Sequence, residues 1–95
     1  MKPVMNKAQL IDAVRERCSD MTRKEVSEVI DALIDTVQET VSDGTDVNIT
    51  GFGRFTHIQR AARTGRNPQT GESIRIPASR QPSFKPGKGF KDKLN

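Results

Sequence analysis

Arg60, Arg63 and Arg66 recur every three residues within Arg60-Ala-Ala-Arg-Thr-Gly-Arg-Asn-Pro-Gln-Thr-Gly71, a stretch without a single acid. Each guanidinium can grip phosphate oxygens in a bidentate way, and neutralising phosphates releases condensed counterions. Two alanines and one proline are all the stretch could bury, so it must project into water or against a polyanion. Other chemistry is sparse. His57 is the sole histidine and Cys18 the sole cysteine, and neither has a partner at a recognisable motif spacing. Gly87-Lys88 lacks the earlier glycine and the following hydroxyl residue of a phosphate loop, and Gly51-Phe-Gly53 is equally short of one. The acids Glu28, Asp31, Asp35 and Glu39 lie off the apolar stripe of their helix and read as a solvated face. No enzyme, metal site, cofactor or small-molecule substrate is therefore expected.

The arginine stretch ends in turn chemistry. Asn67 suits the first position of a type I turn, Pro68 presets φ for the second, and Gly71 can take positive φ just beyond. Gln69 lies between them at the tip. Phe55-Thr-His-Ile58 and Ser73-Ile-Arg-Ile76 flank the stretch as β-type runs, so a long two-stranded ribbon is predicted. A spacing of three alternates faces on a flat strand, so a twisted ribbon along a groove suits the arginines better. Spacing alone leaves two roles open for Pro68: shaping the turn, or acting as a rigid apolar wedge between base pairs.

Charge is divided along the chain. Residues 1–46 carry six basic and ten acidic side chains, net −4, while residues 47–95 carry ten basic and two acidic, net +8. That split points the C-terminal half at a polyanion, with nucleic acid favoured over a membrane because no basic amphipathic helix with large apolar residues occurs there. Only 33% of the 95 residues are hydrophobic and the only aromatics are four phenylalanines. A chain this small, with an arm that buries little, is expected to complete its core with a second copy. One cysteine permits no internal disulfide, and no signal or membrane-spanning run is visible, so a soluble cytoplasmic protein is expected.

The positioning elements are legible locally. Met1-Lys-Pro-Val4 is a lead-in. A helix is predicted from Asn6 to about Arg17, with Asn6 and Gln9 as a capping-box pair and Leu10, Ile11, Val14 and Cys18 on one face. A second runs from Thr22 to about Asp43, with Thr22 and Glu25 as a capping box and Met21 and Val26 as a hydrophobic staple. Its stripe is Val26, Val29, Ile30, Leu33, Val37 and Val41, widened by Ile34, and Gly44 ends it. Val47–Thr50 reads as a short strand, Gly51-Phe-Gly53 as a bend, Arg54–Ala62 as the outgoing strand and residues 72–79 as the return. Pro77 marks an edge or the end of regular pairing. Phe84 returns to the core, and residues 88–94 form at best a marginal helix because Gly89 interrupts it. Phe52, Phe55 and Phe84, with Leu33 and Val37, are the expected dimer core.

Gly51-Phe-Gly-Arg-Phe55, the stretch from Arg60 to Gly71, Ile76-Pro-Ala-Ser79 and Phe84-Lys-Pro-Gly-Lys88 together closely resemble the bacterial HU/IHF family of histone-like DNA-bending proteins, and Met5-Asn-Lys-x-x-Leu-Ile11 resembles its usual start. The similarity covers residues 5–95. It implies an α+β chain forming an intertwined homodimer, with a helical body, a β-saddle and two extended β-ribbon arms in the minor groove of double-stranded DNA. Residues 1–95 would form one domain: a helical hairpin over 5–44, a β-sheet over 46–85 with its arm at 59–76, and a short helix over 86–95. Pro68 would be the intercalating residue. Arg60, Arg63 and Arg66, with Asn67 and Gln69, would be arm contacts. Arg75, Arg80, Lys85, Lys88 and Lys91 would be saddle or flank contacts to phosphate, and Lys7 a further one. Met1–Val4 precedes the family's usual start, Ser19-Asp20 carries one extra residue between the helices, and Gly89-Phe90 stands where Ala-Leu is common.

Pro77-Ala-Ser79 and Phe84-Lys-Pro86 look more like HU-type than IHF-type members. The function so implied is an architectural protein of the bacterial nucleoid that binds duplex DNA with little sequence preference, bends and compacts it, and favours bent, nicked or junction DNA. The alternatives are a site-preferring IHF-like factor and a basic ribbon that docks RNA or an acidic protein.

Overall fold

The computed structural model describes residues 2–95; of the expected lead-in, Met1 lies outside the described residues. The fold is α+β. Two compact units divide the chain, one up to Gln38 and the other Glu39–Asn95, with the boundary inside the second helix.

In the first unit, α1 (Lys7–Arg17) opens on the expected capping box: the Asn6 side chain accepts from the Gln9 N–H at 2.8 Å, and the Gln9 side chain accepts from the Asn6 N–H at 2.9 Å. The second helix, α2 (Arg23–Ser42), opens the same way, with Thr22 and Glu25 exchanging bonds of 3.1 and 2.9 Å. Ile11, Val26 and Ile30 form the buried core of this unit, with Val14 and Met21 packed against them. Met21 thus joins Val26 as the staple spacing predicts. Asp12 accepts from the Arg23 guanidinium at 2.7 Å, and Lys7 pairs with Asp31 at 2.5 Å. The predicted α2 stripe is only partly covered within one chain: Val29 remains 58% exposed, Leu33 54% and Ile34 39%.

In the second unit α2 ends in a Schellman arrangement. Gly44 takes φ +93°, its N–H donates to Val41, and the Thr45 N–H donates back to Thr40. Three strands follow as an antiparallel sheet in the order β1 (Val47–Ile49), β2 (Gly53–Arg60) and β5 (Ser79–Pro86). Between them β3 (Arg63–Arg66) and β4 (Ser73–Ile76) form a separate two-stranded ribbon. The outgoing strand expected over Arg54–Ala62 therefore stops at Arg60, and the return expected over 72–79 is broken before Ser79. β5 runs unbroken through Pro82 because it is an edge strand, where a missing N–H costs no ladder bond.

Phe52, Phe55, Phe84 and Phe90 cluster at the root of the sheet, with ring centroids 4.8–6.4 Å apart. The last helix, α3 (Lys88–Leu94), is anchored there by Phe90, which stacks on Phe52 at 5.6 Å. Gly89 has a packing reason: a Cβ there would lie 3.0 Å from the Gly51 carbonyl oxygen. A residue that weakens the helix locally lets it approach the Gly51 bend.

Candidate nucleic-acid interface

β2 pairs with β5 from Gly53 opposite Pro86 to Arg60 opposite Ser79. β3 pairs with β4 from Arg63 opposite Ile76 to Arg66 opposite Ser73. The two ladders share one register, so neither strand gains or loses a residue at the gap. Ala61-Ala62 therefore faces Pro77-Ala78 across it. Pro77 has no N–H to donate, which explains why pairing lapses there. The arm is one long ribbon with a joint in it.

Side chains alternate faces along a strand, and directly opposed residues share a face. One sheet face thus carries Phe55, His57, Gln59, Arg80, Pro82 and Phe84. The other carries Arg54, Thr56, Ile58 and Arg60 on β2, with Ser79, Gln81, Ser83 and Lys85 on β5. Beyond the joint, the unbroken register carries the second face into Thr64, Arg66, Ser73 and Arg75. Arg63 falls on the first, with Ile74 and Ile76. The cations Lys85, Arg54, Arg60, Arg75 and Arg66 therefore line one face from sheet to arm tip.

At the tip the chain closes over five residues rather than the expected four. The Gly71 N–H donates to the Asn67 carbonyl at 2.7 Å, and Gly71 takes φ +76°. The Asn67 N–H donates to the Glu72 carbonyl at 2.8 Å, and the Asn67 side chain accepts from the Gln69 N–H at 2.9 Å. These bonds brace the chain on both sides of Pro68, leaving Pro68 and Gln69 exposed at the apex.

The other residues singled out above are distributed as follows. Arg80 donates from its guanidinium to the Ser42 carbonyl at 2.8 Å, satisfying one of the open carbonyls at the end of α2. It shares the phenylalanine face, away from Lys85. Lys7 meets Asp31 rather than open solvent alone. Lys88 and Lys91 lie exposed on α3. Phe52 and Phe84 are in the aromatic cluster yet 42% and 37% exposed. His57 is half-buried opposite Pro82, with an enclosed Nδ1 that meets no partner. Among the described residues no three His, Cys, Asp or Glu side chains gather as a metal site, and no helix is long and apolar enough to cross a membrane.

Arg54 is the cation that sequence reasoning left out. It stands next to Phe55 in sequence, and only strand parity separates the two faces. Its guanidinium lies 3.7 Å from the Asp46 carboxylate, which also accepts from the Thr56 hydroxyl at 2.7 Å.

A family model described as bacterial DNA-binding protein matches residues 5–95. The chain is 50% identical over 88 residues to DNA-binding protein HU of Geobacillus stearothermophilus, covering 93% of this chain and 97% of that one. It is 48% identical over 88 residues to DNA-binding protein HU 1 of Bacillus subtilis, covering 93% and 95%. Among solved structures, Anabaena HU in a cocrystal with DNA superposes with a TM-score of 0.83 at 47% identity, over 95% of this chain and 97% of that one.

Proposed function

The chain belongs to the HU/IHF family of bacterial DNA-binding proteins, and from that premise we propose that it binds duplex DNA as a homodimer and bends it. The observation that carries this reading is the single cationic face running from Lys85 and Arg54 through Arg60 to Arg75 and Arg66, ending at a proline-tipped turn. Phosphates along a groove are matched by such a row, and the embrace needs two arms. Residues left uncovered in one chain support the second copy: Val29, Leu33 and Ile34 on α2, and Phe52 and Phe84 at the sheet root. Fully burying a side chain of this size stabilises by about 1.5–3 kcal/mol, so the uncovered remainder on several of them is a substantial drive to pair.

In this reading Pro68 enters a base step from the minor groove. It is apolar, carries no N–H to satisfy, and is held by the Asn67 and Gly71 bonds, so little ordering is left to lose. Unstacking costs a few kcal/mol per step and is offset by the extra phosphate brought to the sheet. Asn67 and Gln69 flank the wedge, Arg63 reaches the backbone from the other ribbon face, and Lys88 and Lys91 meet DNA at the flank. Lys7 contributes by exchanging Asp31 for phosphate. Since these contacts go to backbone and to a deformed step, sequence preference is weak, nicked and junction DNA are favoured, and the working place is the nucleoid.

The test is energy transfer between end-labelled linear and nicked duplexes at two salt concentrations. The parent should draw the ends together and bind the nicked duplex more tightly, with the preference persisting as salt rises. Pro68→Ala should reduce the bend more than the affinity. A bend angle equal to that of the parent would remove the wedge role, and a straight duplex under the parent would refute bending altogether.

A further inference from the structure

We propose that Asp46 is a built-in competitor for the phosphate that Arg54 and Lys85 take up on the sheet. The inference rests on the duplex-DNA reading above. Arg54 and Lys85 are directly opposed across β2 and β5. Like charges opposed on a ladder destabilise it, so this pair is not there to hold the sheet together. No carboxylate among the described residues lies within ion-pairing distance of Lys85, and Arg54 has only Asp46. A phosphodiester spanning both cations would remove their repulsion.

Asp46 precedes β1, and the β1–β2 register carried one residue back sets it opposite Thr56, on the same face as Arg54 and Lys85. It is the only acid on that face of the three strands. The Thr56 hydroxyl holds one carboxylate oxygen at 2.7 Å, which leaves the other turned to Arg54 at 3.7 Å. Both side chains of the ion pair are partly exposed, 53% for Arg54 and 39% for Asp46. A pair of this kind is worth little in water, so phosphate can displace it. The carboxylate stays in place because Thr56 anchors it, and its charge opposes the incoming phosphate. Asp46 therefore holds down the affinity of the sheet and shifts the burden of binding to the arms.

Salt titrations of binding to a labelled nicked duplex test this with the full chain. Asp46→Asn keeps an acceptor for Thr56 but removes the charge. It should tighten binding about threefold to fivefold and steepen the slope of log affinity against log salt by about 0.9, one further phosphate neutralised. Asp46→Ser should do the same, so the result does not depend on one replacement. With Arg54→Gln present, the gain from Asp46→Asn should shrink to less than about twofold, a coupling that independent sites would not show. Unchanged affinity and slope in both Asp46 variants, or an equal gain with and without Arg54, would overturn the proposal. A parent protein that shows no salt-dependent duplex binding would instead overturn the DNA reading beneath it.

Discussion

Replacing Gly53 by alanine tests whether the aromatic root holds the sheet in its register. Gly53 is buried at the start of β2. A Cβ there would lie 2.5 Å from Cζ and 2.6 Å from Cε1 of Phe84, and 2.7 Å from the Lys85 carbonyl oxygen. Ordinary carbon contacts are about 3.5–4.0 Å, so the Phe84 ring must retreat by about 1 Å or more. Phe52 and Phe55 stand behind it, with centroids at 5.2 and 4.8 Å. The carbonyl belongs to β5 and cannot withdraw without loosening its ladder to β2. Overpacking costs about 1–3 kcal/mol and a weakened ladder bond about 1 more. The reduced freedom of the unfolded chain returns about 0.4–1. A net loss of about 1–3.5 kcal/mol follows, roughly 5–25 °C in Tm for a chain this size. Thermal unfolding by circular dichroism, at fixed protomer concentration because dimerisation links stability to concentration, measures it. Gly65→Ala is the control. Its Cβ would meet only the Ile76 Cδ1 atom closely, at 2.9 Å, and a terminal methyl can swing aside. It should change stability by no more than about 0.5 kcal/mol. A Gly53 variant melting within about 2 °C of the parent, or a Gly65 variant equally damaged, would refute the reasoning.

Two further outcomes are expected. Arg80→Ala should lower stability by about 1 kcal/mol, because it removes the bond to the Ser42 carbonyl, and should leave the salt slope of DNA binding unchanged; a flattened slope would make Arg80 a phosphate contact after all. Thr22→Ala should cost about 1 kcal/mol in denaturant unfolding through loss of the α2 cap. The Glu25 carboxyl is held below its ordinary value chiefly by the Thr22 backbone N–H and then by the Thr22 side chain. A depressed folded value means stabilisation present above the unfolded value and lost as pH falls through the folded one. Glu25→Gln should therefore be less stable than the parent at neutral pH, and the difference should close in acid; a gap that persists at low pH would contradict this.

What the sequence revealed follows the range of the interactions concerned. Both capping boxes and the Gly44 stop join residues within a few positions of each other, so their chemistry is written in adjacent letters. Pro77 was legible as a break for the same reason. The resemblance assigns Arg80 to phosphate, and nothing near it in sequence points to the bond it makes here, because the Ser42 carbonyl lies 38 residues away and is a backbone group with no signature. Gly89 looked like a defect in a helix until its neighbour across space, Gly51, was known. The turn at Asn67 was one residue longer than expected, since a glycine at positive φ serves either length. Arg54 was missed for a different cause. Its class was plain, but its face depends on counting alternation from Phe55, and that count was made for the arm cations and not for the root of β2.

The same count bears on how the arm works. Arg60, Arg63 and Arg66 look like one set in sequence, yet a period of three on a period-two strand splits them: Arg60 and Arg66 share the face of Arg54 and Lys85, while Arg63 lies with Ile74 and Ile76. A ribbon in a groove meets a backbone on each side, so the cationic face can follow one of them while a cation on the other face reaches the opposite one. Arg75 restores density on the face of Arg54 and Lys85, and Arg63 is the only cation that β3 and β4 place on the other, beside two isoleucines that are 45% and 37% exposed. Neither face could be read from the spacing of three. Both follow once the ladder register is known, because that register is the same on either side of the joint at Ala61-Ala62 and Pro77-Ala78.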